Sequence, residues 1–373
     1  MNSKPLSLKA NKILLIAMPY LGDVLLATPL LHSLRLAYPQ AQLDVLVFEN
    51  TVDMLTGNPD INQIITTPKR PTWAENLALY KRIFRRYDLA MAIQTGDRPF
   101  LYTLLAAPVR VNAVPAKPGK AWWKRFFVQR WTEFDNFNTH TVLQNLKLLD
   151  LIGVLKSYAL VPPQAGNIQQ LIEHFDFLTK NQPFVILHPL PQWQYKRWTL
   201  EGWLQICRFL DGLGLKPVLS GGPGQEEIAY LKQIAAQLPN SVVSLAGQVS
   251  LAELAYIISK AQLFIGPDTG VTHLAAATGI PVIALFGPTN PVKWAPWPIG
   301  YAQDQNPFEK VGCRQVSNIT FLQGQAPCVP CHLEGCENHR LSHSACLDNL
   351  APEQVQSAIL QILSAAAATK AQH

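Results

Sequence analysis

Short, nearly continuous apolar runs recur along the chain, each closed by a turn: Ile13-Leu-Leu-Ile-Ala17, Leu43 to Phe48, Leu89 to Ile93, Phe184 to Leu187, Leu263 to Ile265 and Val282 to Phe286. A strand with one wet face alternates apolar and polar residues, whereas a strand covered on both faces does not alternate. Runs of this kind, separated by stretches with helical periodicity, predict parallel sheets sandwiched between helices, an α/β chain.

Two cycles of the pattern are visible. In the first, Ile13 to Ala17 leaves the sheet through Met18-Pro-Tyr-Leu-Gly22, so that Asp23 sits at the mouth of the loop. Thr28-Pro29 then predicts a helix entry by a capping hydroxyl and a proline at the first helical position, with Leu30, Leu31, Leu34 and Tyr38 facing inward. Strands are expected at Leu43 to Phe48, Ile61 to Thr66, Leu89 to Ile93 and Val109 to Val114, with a helix around Ala74 to Arg86. From Pro115 to His140 the regularity fails, and a helix from His140 to Ile152 closes the half, before a linker at Pro162-Pro163. The second cycle runs through Phe184 to Leu187, a helix from Leu200 to Leu213, a strand at Pro217 to Ser220 and the turn Gly221-Gly-Pro-Gly224. Ser250 and Glu253 have capping-box spacing ahead of Leu254, Ile257 and Ile258. The expected layout is therefore 1–162 and 163–350 as two Rossmann-like, doubly wound domains, followed by a C-terminal helix and tail over 351–373, with ligands at the carboxyl ends of the strands.

With 48% hydrophobic and 15% charged residues among 373, the chain fills one sizeable core and more naturally two. An excess of 31 Lys and Arg over 25 Asp and Glu is too mild to indicate nucleic-acid binding without a clustered patch. Residues 1–12 carry no apolar run of signal-peptide length, and Ile13 to Ala17 is too short to span a bilayer, so a cytoplasmic location is expected.

The chemistry concentrates in Gly266-Pro-Asp-Thr-Gly-Val-Thr-His-Leu-Ala-Ala-Ala-Thr-Gly279, where a strand delivers an acid, a hydroxyl and a glycine to a helix N-terminus. Such a terminus suits phosphate, because its first amides and the helix dipole both favour an anion and glycine lets the backbone approach closely. His273 falls on the first turn of that helix. Capping alone would also account for Asp268 and Thr269.

Asp268-Thr-Gly270 with His273, followed by Pro281-Val-Ile-Ala-Leu-Phe-Gly-Pro-Thr289 and Trp294, resembles the C-terminal signature of the lipopolysaccharide heptosyltransferase family, glycosyltransferase family 9. Leu21-Gly-Asp-Val-Leu-Leu-Ala-Thr-Pro29 resembles its Leu-Gly-Asp loop, and Lys196-Arg-Trp198 its interdomain lysine motif. The resemblance implies the GT-B fold, in which two Rossmann-like domains face one another across a cleft. The acceptor is then held mainly by the first domain and a nucleotide sugar, ADP-heptose, mainly by the second. It also implies inverting, metal-independent transfer to the lipopolysaccharide inner core or another lipid-linked acceptor, with no nucleic-acid partner. Direct displacement at an anomeric carbon needs a base for the acceptor hydroxyl and positive or dipolar groups for the departing diphosphate. Asp23 is assigned the first role and Lys196 the second, with Asp268, Thr269, Gly270 and His273 on the donor. Glu226 falls where the resembling proteins bind the nucleoside ribose, with Glu227 competing. At His188-Pro-Leu-Pro-Gln192 the chain departs from the family, which often carries a hydroxyl residue there.

Two further clusters stand out. Cys328-x-x-Cys331, Cys336 and Cys346, with His332, His339 and His343 among them, have a zinc-knuckle start, but reduced, packed thiols are the favoured expectation and no metal is assigned. Arg110, Lys117, Lys120, Lys124 and Arg125 alternate with Trp122, Trp123, Phe126 and Phe127; Lys120, Lys124 and Arg125 are candidates to meet an anionic acceptor, with peripheral contact at the inner face of the cytoplasmic membrane. Alternatives are a GT-B transferase for another nucleotide-activated sugar, an inactive zinc-stapled binding protein, and a dinucleotide oxidoreductase. The last is disfavoured, since neither Pro19-Tyr-Leu-Gly22 nor Gly221-Gly-Pro-Gly224 completes a G-x-G-x-x-G turn.

Overall fold

The computed structural model describes residues 5–6, 8–116, 121–180, 182–238 and 242–370. The chain divides into two compact units, one made of Met1–Pro163 with Gly300–Asn306 and the other of Gln164–Ile299 with Pro307–His373. Each is built on one sheet. No helix among the described residues is long and apolar enough to cross a membrane.

In unit 1 the elements run β1 (Lys12–Ile16), α1 (Leu21–Leu25), α2 (Thr28–Ala37), β2 (Gln42–Phe48), β3 (Gln63–Thr67), α3 (Trp73–Ile83), β4 (Leu89–Ala92), α4 (Asp97–Ala106), β5 (Val109–Pro115), β6 (Arg130–Phe134) and α5 (Thr141–Asp150). The six strands are ordered β3-β2-β1-β4-β5-β6 and every pair is parallel. Ile13, Leu14, Leu15 and Ile16 of β1 are fully buried, which is why that run does not alternate. At about 1.5–3 kcal/mol per buried aliphatic side chain, this one strand anchors the sheet. Unit 1 is clamped by its returning segment: Lys156 bridges Asp150 at 3.0 Å and Asp304 at 2.9 Å, and Asn306 accepts from the His140 N–H at 2.9 Å.

Unit 2 contains α6 (Gln169–His174), α7 (Asp176–Thr179), β7 (Phe184–Leu187), α8 (Leu200–Gly212), β8 (Lys216–Leu219), α9 (Gln225–Ala235), β9 (Val243–Ser244), α10 (Leu251–Lys260), β10 (Leu263–Pro267), α11 (Gly270–Thr278), β11 (Val282–Phe286), α12 (Pro291–Trp294), β12 (Arg314–Val316), β13 (Ile319–Gln323), α13 (Ala345–Asp348) and α14 (Pro352–Lys370). Its strands are ordered β12-β13-β11-β10-β7-β8-β9, parallel except for the β12–β13 edge hairpin. The capping box at Ser250 and Glu253 forms as the spacing requires.

Both sheets reverse direction part-way across. In unit 1 the chain moves outward one way from β1 to β3 and the other way from β4 to β6; in unit 2 the reversal lies between β7 and β10. At such a switch point the two neighbouring crossovers lie on opposite faces, which opens a crevice at the strands' carboxyl ends. The segments after β1 and β10, with Asp23 in the first turn of α1 and Asp268 in the turn before α11, lie at these two points.

Three local features depart from the sequence pattern. Thr28 does not cap α2: its hydroxyl donates to the Leu25 carbonyl at 2.7 Å and the N-cap is Ala27, because α1 runs almost directly into α2 and already occupies the space a free cap needs. Helix α4 starts from Gly96 with no capping side chain, and between Pro115 and His140 the chain forms a 3₁₀ turn, Trp122–Phe127, and the half-buried edge strand β6, so that stretch is more regular than its residues suggest. The β12–β13 hairpin turns through Ser317 at φ +50°, without the glycine that would have marked it.

Candidate active site

The unit 2 crevice is built by α11 and the loop after β7. Thr269 is the N-cap of α11; its hydroxyl accepts from the Thr272 N–H at 3.2 Å, and Thr272 Oγ1 in turn donates to the Pro267 carbonyl. The N–H groups of Gly270 and Val271 are not taken up by this cap and form the open end of the helix. Gly266 must be small, since a Cβ there would lie 2.7 Å from the Phe264 ring and 3.0 Å from Thr272 Oγ1. The helix ends on Gly279 at φ +88°, a left-handed terminus that glycine adopts without strain.

Asp268 is 8% exposed and its carboxylate accepts from Lys196 Nζ at 2.6 Å. Lys196 ends a 3₁₀ turn, Gln194–Lys196, and two residues on Trp198 fixes that turn to the core. The Trp198 indole is buried, packs edge-on to Trp203 with centroids 5.1 Å apart, and donates from Nε1 to the Leu350 carbonyl at 2.9 Å. Gly202 makes room for it: a Cβ there would meet the indole at 2.6 Å. The ammonium is therefore held from behind by packing and in front by a carboxylate.

His273, one turn into α11, is fully enclosed, and burial pushes its pKa down to about 4 against a smaller opposing pull from Asp268. The ring is neutral near pH 7. Its Nδ1 is buried and has no hydrogen-bond partner among the described residues. An unsatisfied buried ring nitrogen costs on the order of 1–3 kcal/mol, which makes this one, beside an ion pair and an open helix end, a candidate ligand position. His188 lies at the carboxyl end of β7 on the other side of the switch point and bonds Ser220 Oγ at 3.0 Å; burial pushes it to about 4 as well. The Ser220 hydroxyl, bonded to this histidine, in turn donates to the Leu187 carbonyl at 3.3 Å.

The two candidate ribose acids separate. Glu227 folds back and its carboxylate accepts from the Gly222 N–H, closing the turn after β8. Glu226 is exposed on the first turn of α9 and is ion-paired with Arg197. In unit 1, Asp23 is half-buried in the first turn of α1, whose N-cap, Tyr20, supplies no side-chain bond. The neighbouring strand contributes Gln94, which accepts from the Met18 N–H at 3.2 Å and fixes the start of this loop. Nothing in the sequence pattern marked Gln94 or Ser220; both became visible only through strand order.

Lys124 and Arg125 are used inside unit 1. Lys124 is buried, pairs with Asp97 at 2.7 Å and donates to the Thr95 carbonyl at 2.6 Å. Arg125 pairs with Glu133 at 3.4 Å and stacks over Trp131. Lys120 lies outside the described residues. Cys328 and Cys336 are exposed, Cys331 is half-buried and Cys346 is buried, with its thiol pushed up to about 11 mainly by burial. Among the described residues no group of three or more His, Cys, Asp or Glu side chains is arranged to hold a metal ion.

Two doubly wound, mainly parallel sheets, each with an acid just past a strand at its switch point, are the arrangement found in glycosyltransferases of the GT-B fold, and the comparisons with known proteins place the chain in that class. Solved structures of similar shape include an E. coli ADP-heptose lipopolysaccharide heptosyltransferase II, with TM-score 0.71 and 20% identity over 94% of this chain and 98% of that one. Another is E. coli heptosyltransferase WaaC with ADP, with TM-score 0.65 and 20% identity over 94% and 99%. A curated relative, lipopolysaccharide heptosyltransferase 3 of Escherichia coli, is 31% identical over 293 residues, 75% of this chain and 84% of that protein. The family model for glycosyltransferase family 9 (heptosyltransferase) matches residues 77–318, and the chain belongs to this family.

Proposed function

We propose that the chain moves a heptose from ADP-heptose to the lipopolysaccharide inner core with inversion at the anomeric carbon. The observation that carries the donor half is the orphaned Nδ1 of buried His273 beside the Lys196–Asp268 pair and the open end of α11. A lysine, a neutral imidazole and two helix-terminal amides together suit a diphosphate, and the ADP in one similar structure and the names of the relatives support the nucleotide and the sugar.

In the proposed step Asp23 takes the proton of the acceptor hydroxyl, whose oxygen forms a bond to the anomeric carbon. The bond from that carbon to the distal phosphate oxygen breaks, and ADP leaves with the electron pair. Lys196 and the amides of α11 meet the charge that develops there. Glu226 is assigned to the ribose, because Glu227 is already committed to its own turn. No residue is assigned to a metal.

Transfer measured with ADP-heptose and a heptose-deficient lipopolysaccharide tests this directly. Asp23→Asn keeps the shape and removes the base, and should lower kcat by roughly 10²–10⁴ with donor binding retained. A variant as fast as the native protein removes Asp23 from the chemistry. Folded native protein that binds UDP or GDP more tightly than ADP, and does not transfer, removes the substrate assignment.

A further inference from the structure

The charge of this protein is unevenly placed. Between Lys69 and Phe134 there are thirteen Lys and Arg against four Asp and Glu, an excess of nine, whereas the whole chain has an excess of six. The remainder is therefore net acidic by three. The exposed aromatics follow the same division: among the described residues, every exposed Trp and Phe falls between Trp73 and Phe137.

Topology gathers this segment on one face of unit 1. The connections β3 to β4, β4 to β5 and β5 to β6 all run the same way along the sheet, so right-handed crossovers place α3, α4 and the 3₁₀ turn Trp122–Phe127 on the same side. Side chains join them in that order: Tyr80 of α3 meets Tyr102 of α4 at 6.1 Å, and Phe100 of α4 meets Trp123 at 5.2 Å.

The bases at the centre of this face are not spent internally. Lys69, Arg70, Lys81, Arg82, Arg85 and Arg86 are all exposed, and none of them makes an ion pair among the described residues. Glu75, the one acid between them, is committed to the Thr72 capping box. Trp73 opens α3 at 78% exposed and Phe84 follows its last turn, with Phe126 at 76% exposed further along the same face. The tip is fixed in place: Arg85 sits at φ +50° with its N–H donating to the Leu105 carbonyl at 2.8 Å.

From this arrangement we infer that the α3–α4 face of unit 1 is a docking surface for an anionic phospholipid bilayer. Bases meet headgroup phosphates while Trp and Phe enter the headgroup level, a division of labour that interfacial proteins share. Phosphate charge alone would also draw nucleic acid, but Leu101, exposed between the two aromatic groups, extends the apolar part of the surface toward hydrocarbon. The inference rests in part on the reading above, in which the acceptor is a lipopolysaccharide.

The test is co-sedimentation of the full chain with vesicles of phosphatidylglycerol and phosphatidylcholine, compared with phosphatidylcholine alone. Native protein should partition at least ~10-fold more strongly onto the anionic vesicles, and less so as salt rises. K81E/R82E should weaken that partition by at least ~100-fold, and W73S/F84S by roughly 10-fold, each with an unchanged melting temperature. Equal partition of native protein onto both vesicles, native partition by the folded variants, or displacement of the protein from vesicles by a single-stranded oligonucleotide overturns the inference. Transfer to a deacylated, soluble acceptor separates this surface from the catalytic site: K81E/R82E should keep that activity within ~2-fold, and its loss would place these bases on the sugar rather than on the bilayer. Native protein that partitions as expected but transfers to no acceptor overturns the functional reading and leaves the docking surface supported by the partition itself.

Discussion

The two units carry the same device, an acidic residue just past a strand at the sheet's switch point, and treat it in opposite ways. Asp268 is nearly enclosed, paired with Lys196, and followed by a helix whose N-cap Thr269 and neighbouring Thr272 are bonded to each other and to Pro267. Asp23 is half-buried on a five-residue helix with no capping side chain. A carboxylate that must hold a lysine in place gains from burial and tight geometry, whereas one that must reach an incoming hydroxyl needs access. The same residue type at a corresponding place in a doubly wound sheet is thus a strut in one unit and, in the proposed reaction, the base in the other.

The largest expected effect is on stability and separates the two acids. Asp268→Ala leaves Lys196 without its carboxylate and should destabilise unit 2 by about 3 kcal/mol, seen as a lowered melting temperature. Asp23→Asn, which keeps the size and shape of the side chain, should lower the melting temperature less than Asp268→Ala does while abolishing most turnover. Equal melting shifts in the two variants would break the comparison.

Acid sharpens it next. His188 and His273 are both pushed from the ordinary 6.5 to about 4 by burial, so between those values the folded chain binds fewer protons than the unfolded one. Their contribution is complete above pH 6.5 and is lost as pH falls toward 4, on the order of 3 kcal/mol for each ring. Chemical denaturation at a series of pH values should show this slope, and His188→Gln should flatten it by about half. A slope that His188→Gln leaves unchanged would place the proton uptake elsewhere.

The smallest effect concerns the cap. Thr269→Ala should cost about 1 kcal/mol through its lost cap, whereas Thr28→Val should leave the start of α2 unchanged and lose instead the bonds its hydroxyl makes to the Leu25 carbonyl and accepts from the Val161 N–H. Helix content and melting temperature of the two variants, measured side by side, check this.

Much of this architecture was legible in the residues. Buried parallel strands declare themselves by their lack of alternation, so β7 and β11 fall where Phe184 to Leu187 and Val282 to Phe286 indicate. The signal failed where the stabilising group is not a side chain. Helix α4 begins at a glycine, β6 is half-buried at an edge, and the β12–β13 turn places Ser317 in a conformation usually marked by glycine. In the candidate site, Asp23, Lys196 and the Asp268 turn were visible as motifs. The competition between Glu226 and Glu227 was not decidable from spacing, because it depends on which carboxylate folds back onto Gly222. Nor does spacing show that Lys124 is buried against Asp97 while the bases of α3 remain outside.

The segment Gly300–Asn306, which belongs to unit 1 although it is separated from the rest of that unit by 136 residues, has a consequence for synthesis. A ribosome releases Met1–Pro163 well before it makes Asp304 and Asn306, and at about 5–20 residues per second the interval is on the order of ten seconds. During that time Lys156 has only Asp150 for a partner, and the amide at His140 waits for its acceptor. Unit 1 is the first to begin folding but cannot be the first to finish, so its last clamp closes only after most of unit 2 has been made.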